Sequence, residues 1–193
     1  MISKLFVFGA LAVACAAYAE QVPPVIKKLG TIDCDMVETT PIVFHDRLYR
    51  FEYVRDNFKG NTTGRSYFRF IDVATGEPTP PFAREYHLGS AFVDGDSVYV
   101  YGVSKWGGPH VHVFWSKDLA AWKEQTAMEL PGWEIFNTSV CKGRTAYVMA
   151  FEIGAPKEEA GNPFTMRFAE SDDLRNWRLT AKECVYTKAR YSA

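Results

Sequence analysis

Ser116-Lys117-Asp118-Leu119-Ala120-Ala121-Trp122 and Ser171-Asp172-Asp173-Leu174-Arg175-Asn176-Trp177 share one pattern, S-x-D-L-x-x-W. Each copy follows an aromatic or apolar strand-like run, Val111 to Trp115 in the first and Phe164 to Ala169 in the second. Upstream of each run lies a hairpin. Ser90-Ala91-Phe92-Val93, the turn Asp94-Gly95-Asp96 and Val98-Tyr99-Val100-Tyr101 make one. Ser139-Val140-Cys141, the turn Lys142-Gly143-Arg144 and Ala146-Tyr147-Val148-Met149 make the other. A third copy precedes both: Pro41-Ile42-Val43-Phe44, His45-Asp46, Leu48-Tyr49-Arg50-Phe51, then Tyr67 to Val73 with a Thr75-Gly76 turn in place of the corner. Tyr49, Tyr99 and Tyr147 recur at a spacing of about 50 residues, and several strands per unit at that period predict a β-propeller.

The corner motif has a local physical reading. Ser and Asp side chains satisfy backbone groups at the turn, Leu packs inward, and Trp covers the gap between neighbouring units. Trp115, Trp122 and Trp177 are therefore assigned to packing. Helical pattern is confined to single turns at Ala155–Ala160 and Asp173–Trp177. Loops are expected at Arg55–Arg65, Lys105–Pro109 and Gly154–Pro163. The units span 39–82, 89–130 and 137–185, and Tyr191-Ser192-Ala193 reads as the opening of a fourth inner strand. Propellers close with four to eight blades. We therefore expect an all-β, five-bladed-type propeller domain over 20–193, with about three blades present and incomplete at its C-terminus. Assembly with a second copy is the other way to cover the open faces.

With 47% hydrophobic, 15% aromatic and 23% charged residues, the chain is that of a globular protein. Lys and Arg number 22 against 23 Asp and Glu, so no basic footprint for nucleic acid exists. The opening MISKLFVFGALAVACAAYAE combines Lys4, an uncharged apolar run from Leu5 to Ala17 and the small-x-small Ala17-Tyr18-Ala19. It predicts a signal peptide over 1–19, cleaved after Ala19, with the run too short to span a membrane. Secreted or periplasmic localisation is the consequence, without stable membrane insertion. Cys34, Cys141 and Cys184 show no metal-ligand spacing, so no metal or other cofactor is expected. The paired imidazoles of His110 and His112 read as exposed outer-strand residues.

The repeated corner behind a signal peptide resembles the five-bladed β-propeller glycoside hydrolases, including the arabinanase/β-xylosidase, invertase/levansucrase and neoagaro-oligosaccharide hydrolase families. The resemblance covers about residues 33–193. It implies hydrolysis of a glycosidic bond in a poly- or oligosaccharide by two carboxyl groups at the centre of the propeller, one protonating the leaving oxygen and the other activating water or attacking carbon. In the arabinanase-like pattern the base is an Asp directly before a Pro; here Thr40 precedes Pro41. The acid position is Asn137. Nearby carboxylates in DCDMVETTP, Asp35 and Glu38, are candidates for the catalytic base, with Glu134 as the preferred partner of Glu38. His87, Trp106, Trp133 and Asn137 are candidates for substrate binding, the aromatic faces stacking on sugar. Phe136 and Tyr191 are further aromatic candidates. A carbohydrate-binding propeller without catalysis is the alternative, and the sequence implies no particular oligomeric state.

Overall fold

A computed structural model describes residues 25–28, 38–61 and 63–189. The expected leader, Asp33, Cys34, Asp35 and Tyr191 lie outside these residues. The chain divides into two units, Met1–Asp33 and Cys34–Ala193. Of the first, the described stretch 25–28 has no regular secondary structure.

The second unit holds all the regular structure among the described residues, eleven strands and one short helix. Three antiparallel sheets succeed one another along the chain: β1(Thr39–Phe44), β2(Arg47–Val54), β3(Tyr67–Asp72); then β4(His87–Asp94), β5(Ser97–Val103), β6(His110–Ser116), β7(Lys123–Glu129); then β8(Glu134–Lys142), β9(Tyr147–Ala155), β10(Thr165–Ser171), β11(Arg178–Leu179). Each sheet is a meander in which sequential strands are hydrogen-bonded neighbours. The first strands of successive sheets, β1, β4 and β8, lie beside one another. This is the arrangement of blades around a propeller axis, and the chain forms three blades of a β-propeller.

Turn chemistry fixes the hairpins. His45 and Asp46 both adopt positive φ, 48° and 60°, which gives the two-residue connection between Phe44 and Arg47 its right-handed twist. In blade two the register pairs Asp94 with Ser97 across Gly95, at φ 58°. The only α-helix among the described residues is α1(Lys157–Ala160); Asp173–Trp177, read from sequence as a possible helical turn, forms bends instead. Its side chains explain the difference, since they cap a turn rather than extend a helix.

Both corners are built the same way. Ser116 Oγ and Ser171 Oγ accept from the backbone N–H groups of Leu119 and Leu174, each at 3.0 Å. Asp118 Oδ1 accepts from Ala120 and Ala121, and Asp173 Oδ1 from Arg175 and Asn176. The turn forces Leu119 and Leu174 to φ 60° and 64°, an uncommon conformation for such side chains, and both are buried. Blade one uses Asp72 alike: its Oδ1 accepts from Ala74 and Thr75, and Gly76 takes φ 78°.

The corner tryptophans seal the blades. Trp122 stacks on Phe82 at 3.8 Å between centroids and lies parallel to Phe70, both from blade one. Trp177 meets Tyr101 of blade two edge-on at 5.7 Å, and its backbone N–H donates to Ala127 O. Phe51, Phe68 and Phe70 are fully buried, each such side chain contributing about 1.5–3 kcal/mol. Gly89 on β4 is required by this packing, because a Cβ there would stand 2.6 Å from Phe51 Cζ and 2.8 Å from Phe68 Cζ.

Candidate functional site

The inner strands β1, β4 and β8 carry polar side chains toward one another. Two threonines and a serine tie the blades together there. Ala91 N–H donates to Thr40 Oγ1 at 3.4 Å, linking blades one and two. Ser90 Oγ and Thr138 Oγ1 are 2.9 Å apart, linking blades two and three. The ladders are irregular at this level: register shifts between His87 and Ser90 in β4 and between Ile135 and Thr138 in β8. Leu88 takes φ 55° within the first. Bulges of this kind re-aim side chains, and they set the directions of His87 and Asn137.

Glu38 stands directly before β1, and its carbonyl accepts from Tyr53 N–H. Its carboxyl is half-buried, and Oε2 is buried without a hydrogen-bond partner. Burial raises its pKa from 4.5 to about 7; the Arg55 charge opposes the rise and the Glu152 charge adds to it. Glu38 is thus poised to carry a proton near neutral pH.

Glu152 on β9 is the neighbouring carboxylate. Asn137 Nδ2 donates to its Oε2 at 2.9 Å, while Asn137 Oδ1 is buried without a partner. Tyr53 and His87 complete the cluster: Tyr53 OH and His87 Nδ1 are 2.8 Å apart. Burial, with Glu38 adding to it, pushes the Tyr53 hydroxyl up to about 12. Burial also lowers the His87 pKa against the opposing charge of Asp56, favouring neutral imidazole. Another buried carboxylate, Glu52, is held by Arg50 and Arg69 and has no comparable free oxygen.

Trp106, in the β5–β6 loop, is 56% exposed and meets His87 and Phe136 edge-on, each at 6.3 Å. It is an open aromatic face next to the cluster. Phe136 is buried and also packs on Phe164. Trp133 has a different setting: it is half-buried, with the Arg167 guanidinium 5.4 Å from its ring centroid. Glu134 is exposed on β8, its side chain beside Gly107 and Gly154. A Cβ at Gly154 would lie 2.8 Å from Glu134 Oε2, so that glycine makes room for the carboxylate.

The structure therefore brings Glu38, His87 and Asn137 into one cluster with Trp106 at its edge. The carboxylate acting on Glu38 is Glu152, and Glu134 lies apart from that interaction. Glu152, Tyr53 and Arg55 were not singled out in the sequence. Their one signal is a charged or hydroxylated residue at the end of an apolar strand, as in YVMAFEIGA for Glu152. His110 and His112 on β6 approach Glu129 and Glu124 at 3.3 and 3.7 Å. Among the described residues no group of three or more His, Cys, Asp or Glu is placed to hold a metal ion, and no helix is long and apolar enough to cross a membrane. Cys141 and Cys184 are free and exposed.

No protein-family model matches the sequence, and no curated protein matches it. Among solved structures the chain is similar to a GH43 β-1,3-galactosidase, with a TM-score of 0.43 and 16% identity. The match covers 71% of this chain and 31% of that one, so this chain spans about a third of that protein's length.

Proposed function

We propose that this chain is the glycosidase-like part of an exported β-propeller that acts on a poly- or oligosaccharide at the mouth between its inner strands. The observation that carries the reading is the half-buried Glu38 carboxyl, its Oε2 buried without a partner, in one cluster with Tyr53, His87 and the exposed Trp106 and within the field of Glu152 from another blade. Hydrolysis of a glycoside needs one protonated and one ionised carboxyl group. Glu38, its pKa raised to about 7, donates a proton to the departing glycosidic oxygen. Glu152, held by Asn137, serves as the partner carboxylate that activates water or attacks the anomeric carbon. Trp106 offers its face to the apolar side of a sugar ring. This assignment keeps Glu38 from the sequence reading, gives it the acid's role and replaces Glu134 with Glu152.

A non-catalytic carbohydrate-binding propeller is the second reading. Its support is that Thr40 and Asn137, at the two positions where the resembled families carry carboxylates, are engaged in hydrogen bonds to Ala91 and Glu152.

The test is hydrolysis of 4-nitrophenyl β-galactoside, β-xyloside and α-arabinofuranoside, and of the matching oligosaccharides, by the full chain and by Glu38→Gln. Turnover that falls at least a hundredfold in the variant, with binding retained, supports the enzyme. Binding without turnover in the wild type supports the second reading. Neither binding nor turnover of any sugar refutes both.

A further inference from the structure

Asn61 uses every hydrogen-bonding site of its side chain within the β2–β3 loop. Nδ2 donates to the carbonyls of Arg55 and Arg65, each at 2.8 Å. Oδ1 accepts from the Thr63 N–H at 2.8 Å and from Thr63 Oγ1 at 2.7 Å. A side-chain amide offers two N–H groups and two lone pairs, so this one is fully engaged. The backbone closes the same way: Phe58 N–H donates to Arg55 O, and Asn61 N–H to Phe58 O. Phe58 folds over Gly60, where a Cβ would stand 2.7 Å from its Cε1. Loops are ordinarily the mobile parts of a sheet protein. Here one amide draws both ends of the loop to a single point.

The end it grips carries a charge. Tyr53 N–H donates to the Glu38 carbonyl, which places the two residues opposite each other at the ends of β1 and β2. Arg55 follows Tyr53 by two residues, the strand period that returns a side chain to the same face. It is a diagonal neighbour of Glu38, within reach of a long side chain. Of the charges acting on the Glu38 carboxyl, Arg55 favours the ionised form and Glu152 on β9 opposes it. The uncharged Tyr53 hydroxyl is engaged with His87, and Asp56, next in the loop, favours the charged form of that imidazole. The Arg55 guanidinium has no hydrogen-bond or ion-pair partner among the described residues. Its place therefore follows from its backbone, and Asn61 holds that backbone.

We infer that Asn61 is a positioning residue for the central site: by clasping the β2–β3 loop it keeps Arg55 facing Glu38, and so sets the pH range over which Glu38 exchanges its proton. The inference rests on the role given to Glu38 above and deepens it, adding control by a side chain bonded only within its own loop.

Carbon-detected NMR titration of the full chain, labelled at the Glu side-chain carboxyls, follows Glu38 directly, its resonance being the one lost in Glu38→Gln. Wild type titrates at about 7. Arg55→Gln raises the midpoint by about half a unit or more, because the favourable charge is gone. Asn61→Ala leaves every charge in the chain and moves the midpoint in the same direction. Added to Arg55→Gln, Asn61→Ala moves it by less than about 0.2 unit, since the clasp acts through Arg55. A midpoint unmoved by Asn61→Ala, or moved as far without Arg55 as with it, overturns the inference. Asn61→Gln keeps the amide but displaces it by one methylene, and gives the same reading if Asn61→Ala does not fold. No sugar enters the measurement, so failure of the carbohydrate reading and failure of the clasp are separate results.

Discussion

Replacing Glu38 by Gln keeps the shape of the side chain and removes its titration. The folded protein holds this carboxyl at about 7 against 4.5 for the free group. The stability tied to its protonation is fully present below pH 4.5 and is lost as pH rises through 7. At 1.36 kcal/mol per pKa unit the upper bound is about 3.4 kcal/mol. Part of the carboxyl reaches solvent, which screens the interaction, so the expected effect is about 1–2 kcal/mol. Glu38→Gln should therefore match wild type at pH 4.5 and exceed its stability at pH 8. For a domain of this size that difference is about 3–6 °C in melting temperature. Paired thermal melts at half-unit steps from pH 4.5 to 8 measure it, and the titration of His87, common to both proteins, cancels in the difference. A difference that stays flat over this range, or moves in wild type's favour with rising pH, refutes the burial argument for Glu38.

Trp122→Ala removes the ring stacked on Phe82 and Phe70 and should cost about 3–5 kcal/mol, read as a lower urea midpoint with little change in slope. Burial disfavours ionisation of Asp173, yet the backbone N–H groups of Asn176 and Arg175, with the Asn176 and Ser171 side chains, hold its pKa down at about 2. Asp173→Ala should therefore destabilise the protein by about 1–2 kcal/mol at neutral pH, with the loss shrinking as pH falls from about 4 toward 2 in chemical denaturation. Trp106→Ala should leave the melting temperature within about 1–2 °C, because the ring is largely exposed, and should weaken carbohydrate binding by about tenfold in titration calorimetry.

Local chemistry was legible in the sequence. The two S-x-D-L-x-x-W corners close through hydrogen bonds that span at most three residues, so their pattern states their structure. The two-residue turns at His45-Asp46 and Gly95-Asp96 are read the same way. The site is different in kind. Glu38, Tyr53, His87, Asn137 and Glu152 come from three blades, and no spacing along the chain relates them. His87 and Asn137 sit on bulges, where alternation along the strand no longer predicts which way a side chain faces. Glu38 could be named as a candidate from its position ahead of the first inner strand. Its partner could not, because Glu152 becomes its neighbour only when β9 lies in place.

Each corner tryptophan packs backward: Trp122 reaches blade one, and Trp177 reaches blade two. Synthesis on the ribosome delivers those surfaces first. The second and third blades therefore each emerge with a finished neighbour to dock on, and the fastener that joins the two is carried by the younger one. Construction has a direction, and it runs with translation. A row of blades made this way can lengthen by one unit without altering the units already laid down, since the newcomer carries both its own turn and the latch that secures it.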